Sequence, residues 1–148
     1  MRTYTQLLYQ IVFCTKHRQR TLSKENRKQL FRYIWGILKN KNCFLYQING
    51  VADHLHIVTH IPPSLALASL VKDIKVASSG YIRKNDLFPD FAGWQQGYAA
   101  FTYSMDAKEG LIEYVKNQEA HHSTKTFNEE LITLLLEFGV AFDDQYLD

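Results

Sequence analysis

The feature that most restricts this chain is Asp53-His54-Leu55-His56-Ile57-Val58, a short run in which histidine alternates with aliphatic residues. In an extended strand successive side chains point to opposite faces, so His54 and His56 share one face while Leu55 and Ile57 share the other. Such a strand needs an apolar layer behind it and a use for two imidazoles in front. Residues two apart stand about 6.6 Å from one another along a strand, close enough for two imidazole nitrogens to lean onto one metal ion at bond lengths of about 2 Å. His60 lies on the same face but about 20 Å from His54 at about 3.3 Å per residue, too far to share that ion. An ordinary polar strand face carries the same alternation, so the pair alone does not decide its own role.

A second stretch bears on it. Leu111-Ile112-Glu113-Tyr114-Val115-Lys116-Asn117-Gln118-Glu119-Ala120-His121-His122 reads as one helix. At about 100° per residue Tyr114, Gln118 and His121 fall within an arc of about 60°, beside an apolar stripe of Leu111, Ile112 and Val115. A tyrosine and an amide thus project together one turn apart. A phenol can act as a covalent nucleophile, and an amide oxygen is a hard ligand suited to Mg²⁺ or Mn²⁺.

Asp53-His54-Leu55-His56, followed some sixty residues later by Tyr114-Val115-Lys116-Asn117-Gln118 and His121-His122, resembles the single-tyrosine HUH transposases of the TnpA type. That family is found in small bacterial insertion sequences and among REP-associated tyrosine transposases. The likeness extends to Ile11-Val12-Phe13-Cys14-Thr15-Lys16-His17-Arg18 and to Trp94-Gln95-Gln96-Gly97-Tyr98-Ala99-Ala100-Phe101, and covers nearly the whole chain. It implies that Tyr114 is the catalytic nucleophile and that His54, His56 and Gln118 hold one divalent ion, Mg²⁺ or Mn²⁺. It further implies cleavage and rejoining of single-stranded DNA at insertion-element ends, through a 5′-phosphotyrosine with a free 3′-hydroxyl, and recognition of a DNA hairpin. The family acts as a two-fold homodimer, so a partner tyrosine helix is expected to be able to complete the histidine site. The apolar first strand offers a candidate seam. Asp53 is a candidate to orient an imidazole and His121 a candidate accessory group. His122 is expected simply to end the helix, where cationic side chains are favoured.

Length and composition are compatible with this. A chain of 148 residues can bury a core as one domain spanning 1–148. No apolar run approaches the about 20 residues needed to cross a bilayer, and Arg2, Thr3, Tyr4 and Gln6 interrupt any signal-peptide pattern. A cytoplasmic location without membrane partners is expected. Cys14 and Cys43 both sit in apolar strand-like runs, which favours buried reduced thiols over a disulfide. The net charge of +2 says little about partners, but its distribution says more. Lys16, His17, Arg18 and Arg20 cluster after the first strand, and Lys72, Lys75, Arg83 and Lys84 fall in one helical region. Glu129, Glu130, Asp143, Asp144 and Asp148 collect near the C-terminus. Lys16, Arg18, Arg20, Lys72, Lys75, Arg83 and Lys84 are therefore the candidate DNA-binding residues, on a positive surface able to track phosphates.

Along the chain, Tyr4–Lys16 alternates as a β-branched and aromatic strand, and Ser23 can cap a helix to about Asn40. Cys43–Val51 reads as a strand turned by Ala52-Asp53 into the histidine strand, which ends at Ile61 before Pro62-Pro63. Ser64 can cap a helix to about Leu87, with Leu67, Leu70, Val71, Ile74, Ala77 and Tyr81 buried and Ser78 and Ser79 outside. Phe91–Tyr103, broken by Gly93 and Gly97, suits one or two short strands. The tyrosine helix starts near Asp106, and Thr126 with Glu129 fits a capping box for a last helix ending at Gly139.

The order β-α-β-β-α-β followed by helices predicts an α+β ferredoxin-like, RRM-like sandwich. Its antiparallel sheet carries helices on one face and a tyrosine-bearing C-terminal helix, and His54 and His56 lie on a face left open to single strands. Two other functions fit parts of the pattern: a non-catalytic single-stranded RNA or DNA-binding module, and a replication-initiator or relaxase-like HUH nuclease. The Tyr114/Gln118 pair speaks against the first; the second is normally larger and orders its motifs differently.

Overall fold

The computed structural model describes residues 1–147, so Asp148 lies outside the described residues. Its elements are β1 (Leu8–Cys14), α1 (Lys24–Asn40), β2 (Phe44–Gly50), β3 (His54–His60), α2 (Leu67–Lys84), β4 (Ala99–Tyr103), α3 (Lys108–Lys116), α4 (Gln118–His121) and α5 (Phe127–Glu137). Short 3-10 turns occupy Lys16–Arg18, Met105–Ala107 and Asp144–Tyr146. The strands form one antiparallel sheet in the order β2-β3-β1-β4, the ferredoxin-like arrangement.

Alternation along the strands divides the chain into two layers. Ile11 and Phe13 of β1 and Leu55 and Ile57 of β3 point to the face covered by α1 and α2. They pack there with Leu30, Ile34 and Leu38 from α1 and Leu70, Ile74 and Ile82 from α2. The opposite face carries Leu8, Gln10 and Val12 from β1, His54, His56 and Val58 from β3, and Phe101 and Tyr103 from β4, as the strand register requires. This second face is not open. Leu111 and Val115 of α3 cover Leu8 and Val58, and Leu134 and Leu135 of α5 cover Phe101. The apolar stripes of α3 and α5 need a partner surface, and the histidine face of the sheet supplies it. His54 and His56 are consequently 0% exposed.

Other differences from the sequence reading are local. Ser64 lies in a turn closed by Leu65 N–H donating to the Pro62 carbonyl, and the N-cap position of α2 is Ala66. Ser78 is buried, because its hydroxyl accepts a 3.0 Å hydrogen bond from Trp94 Nε1. The predicted continuous tyrosine helix breaks at Asn117, where Asn49 Nδ2 donates to the Val115 and Lys116 carbonyls at 3.1 and 3.0 Å and satisfies the end of α3. Strand β1 lies between β3 and β4 and has no free edge, so it cannot be a seam for pairing across a two-fold axis. The Thr126/Glu129 capping box is present and starts α5. Both cysteines are free, and burial pushes the Cys14 thiol up to about 11. Among the described residues no helix is long and apolar enough to cross a membrane.

The tight turn between β2 and β3 delivers His54 to its face. Val51 N–H donates to the His54 carbonyl at 3.1 Å, and a Cβ on Gly50 would stand 2.4 Å from that carbonyl oxygen and 2.8 Å from Leu55 Cδ2. Gly50→Ala is expected to destabilise the protein by about 2 kcal/mol, the range of core overpacking, as measured by urea unfolding. A loss below about 0.5 kcal/mol would mean that the turn does not hold β3 in place.

Candidate active site

The site lies where β3, α3, α4 and α5 meet, and Glu130 is at its centre. Glu130 is buried, with His54 Nε2, His56 Nε2 and His122 Nε2 at 3.2, 3.0 and 3.0 Å from its Oε1. Its Oε2 accepts from the Tyr114 hydroxyl and, at 3.1 Å, from Gln118 Nε2. Gln118 is buried too, with its Oε1 3.3 Å from His54 Nε2. The break at Asn117 separates Tyr114 and Gln118 into two helical segments, yet both reach the same carboxylate.

Each imidazole is held from behind. His54 Nδ1 donates to Asp53 Oδ1 at 2.7 Å, His56 Nδ1 to Gln10 Oε1 at 2.6 Å, and His122 Nδ1 to the Lys125 carbonyl at 2.7 Å. Gln10 is oriented in turn by donating to the Tyr103 hydroxyl at 2.7 Å. The His54 and His56 rings have centroids 5.2 Å apart, and the Phe127 ring lies 4.5 Å from that of His54.

The electrostatics follow from this packing. Burial alone would raise the Glu130 carboxyl, but hydrogen bonds from His122, His54 and His56 outweigh it and hold the group far below the usual carboxylate range. For His54, burial disfavours the cation, yet the hydrogen bonds to Asp53 and Glu130 prevail and raise it. His56 is fully enclosed, and burial prevails over Glu130 to lower it. Tyr114 is raised, first by burial and then by its hydrogen bond to Glu130.

His54, His56, His122 and Glu130 each offer one ligand atom, and these atoms lie within 4.8 Å of one another. Neighbouring ligands around an ion with bonds of about 2.1 Å stand about 3.0 Å apart in an octahedral shell and about 3.4 Å in a tetrahedral one. The imidazole-to-carboxylate spacings of 3.0 to 3.2 Å fit that requirement. The cluster can therefore hold a metal ion.

Of the residues singled out in the sequence, Asp53, His54, His56, Tyr114 and Gln118 come together here. The His121 ring packs against Tyr114 with centroids 4.8 Å apart. His122 does more than end a helix, since it joins the cluster. Glu130 and Gln10 escaped the sequence reading. Glu130 left a trace, being a charged residue on the stripe formed by Phe127 and Leu134 of α5; Gln10 left none.

The basic residues are distributed along adjoining grooves. Arg18 and Arg20 line a polar groove of about 520 Å³ together with Asp53, His122 and residues 123–127. Its floor includes a turn in which His17 and Arg18 have φ of 56° and 52°, a left-handed conformation that non-glycine residues adopt at a cost. Lys72, Lys75 and Arg83 line a second groove with residues 93–98. A third, between them, shares Arg18 and Phe127 with the first and residues 95–98 with the second. Lys75 is turned onto this loop, its ammonium donating to the Gln95 and Gly97 carbonyls. Lys16 and Lys84 are exposed outside these grooves.

A four-stranded antiparallel sheet with a tyrosine helix laid across a histidine strand defines a class that has solved members. The fold matches a crystal structure of a transposase from Deinococcus radiodurans R1 with a TM-score of 0.62, at 22% identity over 80% of this chain and 95% of that one. It also matches a REP-associated tyrosine transposase bound to a REP hairpin, with a TM-score of 0.60 at 12% identity over 82% of this chain and 74% of that one. Residues 3–118 match the family described as transposase IS200 like, and the chain belongs to that family. The transposase for insertion sequence element IS200 from Salmonella typhimurium is 27% identical over 115 residues, 74% of this chain and 75% of the relative. The ISDra2 transposase TnpA of Deinococcus radiodurans is 24% identical over 118 residues, 76% of this chain and 84% of the relative. The family segment stops at Gln118, so His122 and Glu130 lie beyond it.

Proposed function

We propose that this protein cleaves and rejoins single-stranded DNA at the ends of an insertion element, acting as one cytoplasmic domain with Tyr114 as nucleophile. The observation that carries this reading is that Tyr114 and the histidine pair meet at one buried carboxylate, on a chain of the IS200-like family. The Tyr114 oxygen attacks a backbone phosphorus, the bond to the 3′ oxygen breaks, and a 5′-phosphotyrosine forms. The phenol gives up its proton and the departing 3′ oxygen takes one, so neither water nor a nucleoside triphosphate is consumed. Glu130 Oε2, which already accepts from the phenol, is the nearest base. His54, His56 and Gln118 are the residues that would hold a divalent ion, Mg²⁺ or Mn²⁺. When bound, that ion supplies positive charge to the phosphate oxygens. Asp53 fixes the His54 ring, and His121 packs beside the nucleophile.

The DNA reading is supported by the REP hairpin held by a protein of the same fold and by the adjoining basic grooves. A strand running from Lys72 and Arg83 past Tyr98 to Arg18 and Arg20 would arrive beside Asp53 and His122. Lys16 and Lys84 extend the positive surface, whereas Lys75 shapes it by holding the loop. The protein acts as a homodimer, as its likeness to HUH transposases implies.

Three outcomes follow from this reading. With Mn²⁺ and single-stranded DNA carrying the flanks of its own gene, the wild type forms a covalent protein–DNA adduct visible by denaturing electrophoresis. Tyr114→Phe and chelator-treated protein form none, while Tyr114→Phe still binds the hairpin; full cleavage by that variant would discard Tyr114. Replacing Arg18 and Arg20 together by alanine should flatten the slope of log Kd against log salt by roughly one to two charges, and an unchanged slope would remove them from the phosphate track. Finally, heterodimers of a His54→Ala subunit with a Tyr114→Phe subunit cleave if the tyrosine helix serves the partner's histidines and are inert if it serves its own. Monomeric protein at cleavage concentrations, measured by light scattering, would defeat the dimer.

A further inference from the structure

We infer that His122 and Glu130 are direct metal ligands alongside His54 and His56, forming a centre of three imidazoles and one carboxylate that takes Mn²⁺, Co²⁺ or Zn²⁺ in preference to Mg²⁺. The inference rests on the divalent-ion reading above and extends it to two residues outside the family segment.

It starts from the ring nitrogens that face away from the cluster. His54 Nδ1 meets the Asp53 carboxylate and His122 Nδ1 meets the Lys125 backbone carbonyl, both groups that can only accept. His56 Nδ1 meets the Gln10 carbonyl oxygen, whose amide nitrogen is committed to the Tyr103 hydroxyl. Each ring therefore carries its proton on Nδ1, and in the neutral imidazole this leaves a lone pair on Nε2. All three Nε2 atoms point at one carboxylate oxygen from 3.0 to 3.2 Å. Three Nε2 atoms can face one anionic oxygen only with positive charge among them, either protons on the rings or a metal ion, and a divalent ion at that point would replace those protons. A hydrogen-bonded Nδ1 behind a free Nε2 is also the way proteins orient metal-ligating histidines.

The composition of the donor set then selects the ion. Three imidazole nitrogens and one oxygen suit Zn²⁺, Co²⁺ and Mn²⁺, whereas Mg²⁺ prefers a shell of oxygens and keeps its waters. Gln118, named above as a ligand, can add its amide oxygen as a fifth donor, with Oε1 3.3 Å from His54 Nε2, while its amide N–H holds the second oxygen of Glu130. The side chains come from β3, the turn after α4, and α5, so the ion would tie the C-terminal helix to the sheet.

The test uses metal-free full-length protein. Calorimetric titration of the wild type should give Mn²⁺ affinity on the order of 100-fold above that for Mg²⁺, and bound Co²⁺ should show the strong visible absorption of four- or five-coordination. His122→Gln and Glu130→Gln should each lower Mn²⁺ affinity on the order of 100-fold, since losing even a group behind a ligand costs roughly 10- to 100-fold, and should weaken the Co²⁺ bands. His54→Gln serves as reference. If it loses affinity while the other two bind like wild type, His122 and Glu130 are not ligands and the divalent-ion reading stands. If His54→Gln also binds like wild type, that reading fails with it. Should a variant be shown unfolded by circular dichroism, pulsed electron paramagnetic resonance of the Mn²⁺-loaded wild type decides without it: three coupled imidazole nitrogens support the centre and two overturn it.

Discussion

A carboxylate taken out of water costs several kcal/mol unless its surroundings compensate, and Glu130 is buried beneath the sheet with only 4% of its surface exposed. Three imidazoles, an amide and a phenol converge on it, and much of the second layer exists to bring them there. The capping box at Thr126 fixes where α5 begins, Phe127 lies over the His54 ring, and Leu134 and Leu135 seat the next turn on Phe101. On the other side Leu111 and Val115 hold α3 against Leu8 and Val58, which aims Tyr114 at the same point. Apolar packing thus places a polar hub, and the hub in turn gives α5 a unique seat on a sheet face that would otherwise accept any apolar stripe.

How much of this was legible in the sequence depends on the range of the interaction. Strand alternation is local, so β1, β2 and β3, the face that carries His54 and His56, and the helices over Leu55 and Ile57 could be read directly. The same local periodicity brings Tyr114 and Gln118 to one side, although they stand in two segments, α3 and α4. The covered second face was not legible, because the stripes of α3 and α5 say that they need a partner without saying which surface provides it. Asn117 breaks a helix that periodicity continues, since the cause is Asn49, distant in sequence and donating to the last carbonyls of α3. Ser78 reads as surface until Trp94 is seen to donate to its hydroxyl. His122 looks like a helix end because its partner Glu130 lies in the next helix.

The histidine site also depends on register. Cys14 pairs with His54 and Val12 with His56, and a slip of one residue would turn both imidazoles to the α1/α2 side and put Leu55 and Ile57 beneath α5. Gln10 can reach His56 Nδ1 only in the observed pairing, and Asp53 meets His54 Nδ1 from the β2–β3 turn, where a Cβ on Gly50 would press on the His54 carbonyl. The groups that orient the rings are therefore drawn from β1 and from the β2–β3 turn. A correctly oriented pair of imidazoles reports a correctly assembled sheet.

Tyr114 shows the consequence for reactivity. A phenol is a weak nucleophile at its ordinary pKa, and this one is raised, first by burial and then by the carboxylate it donates to. An oxyanion at that position would stand against Glu130 with little solvent between them, so the arrangement stabilises the protonated form. What changes that balance is positive charge on the other oxygen of the same carboxylate, where the three imidazoles converge. Charge placed there draws electron density from Glu130 and lessens its opposition to an anion on Tyr114. Tyr114 and the histidine cluster thus meet at the two oxygens of one carboxylate, supplied by a helix that the family segment does not include.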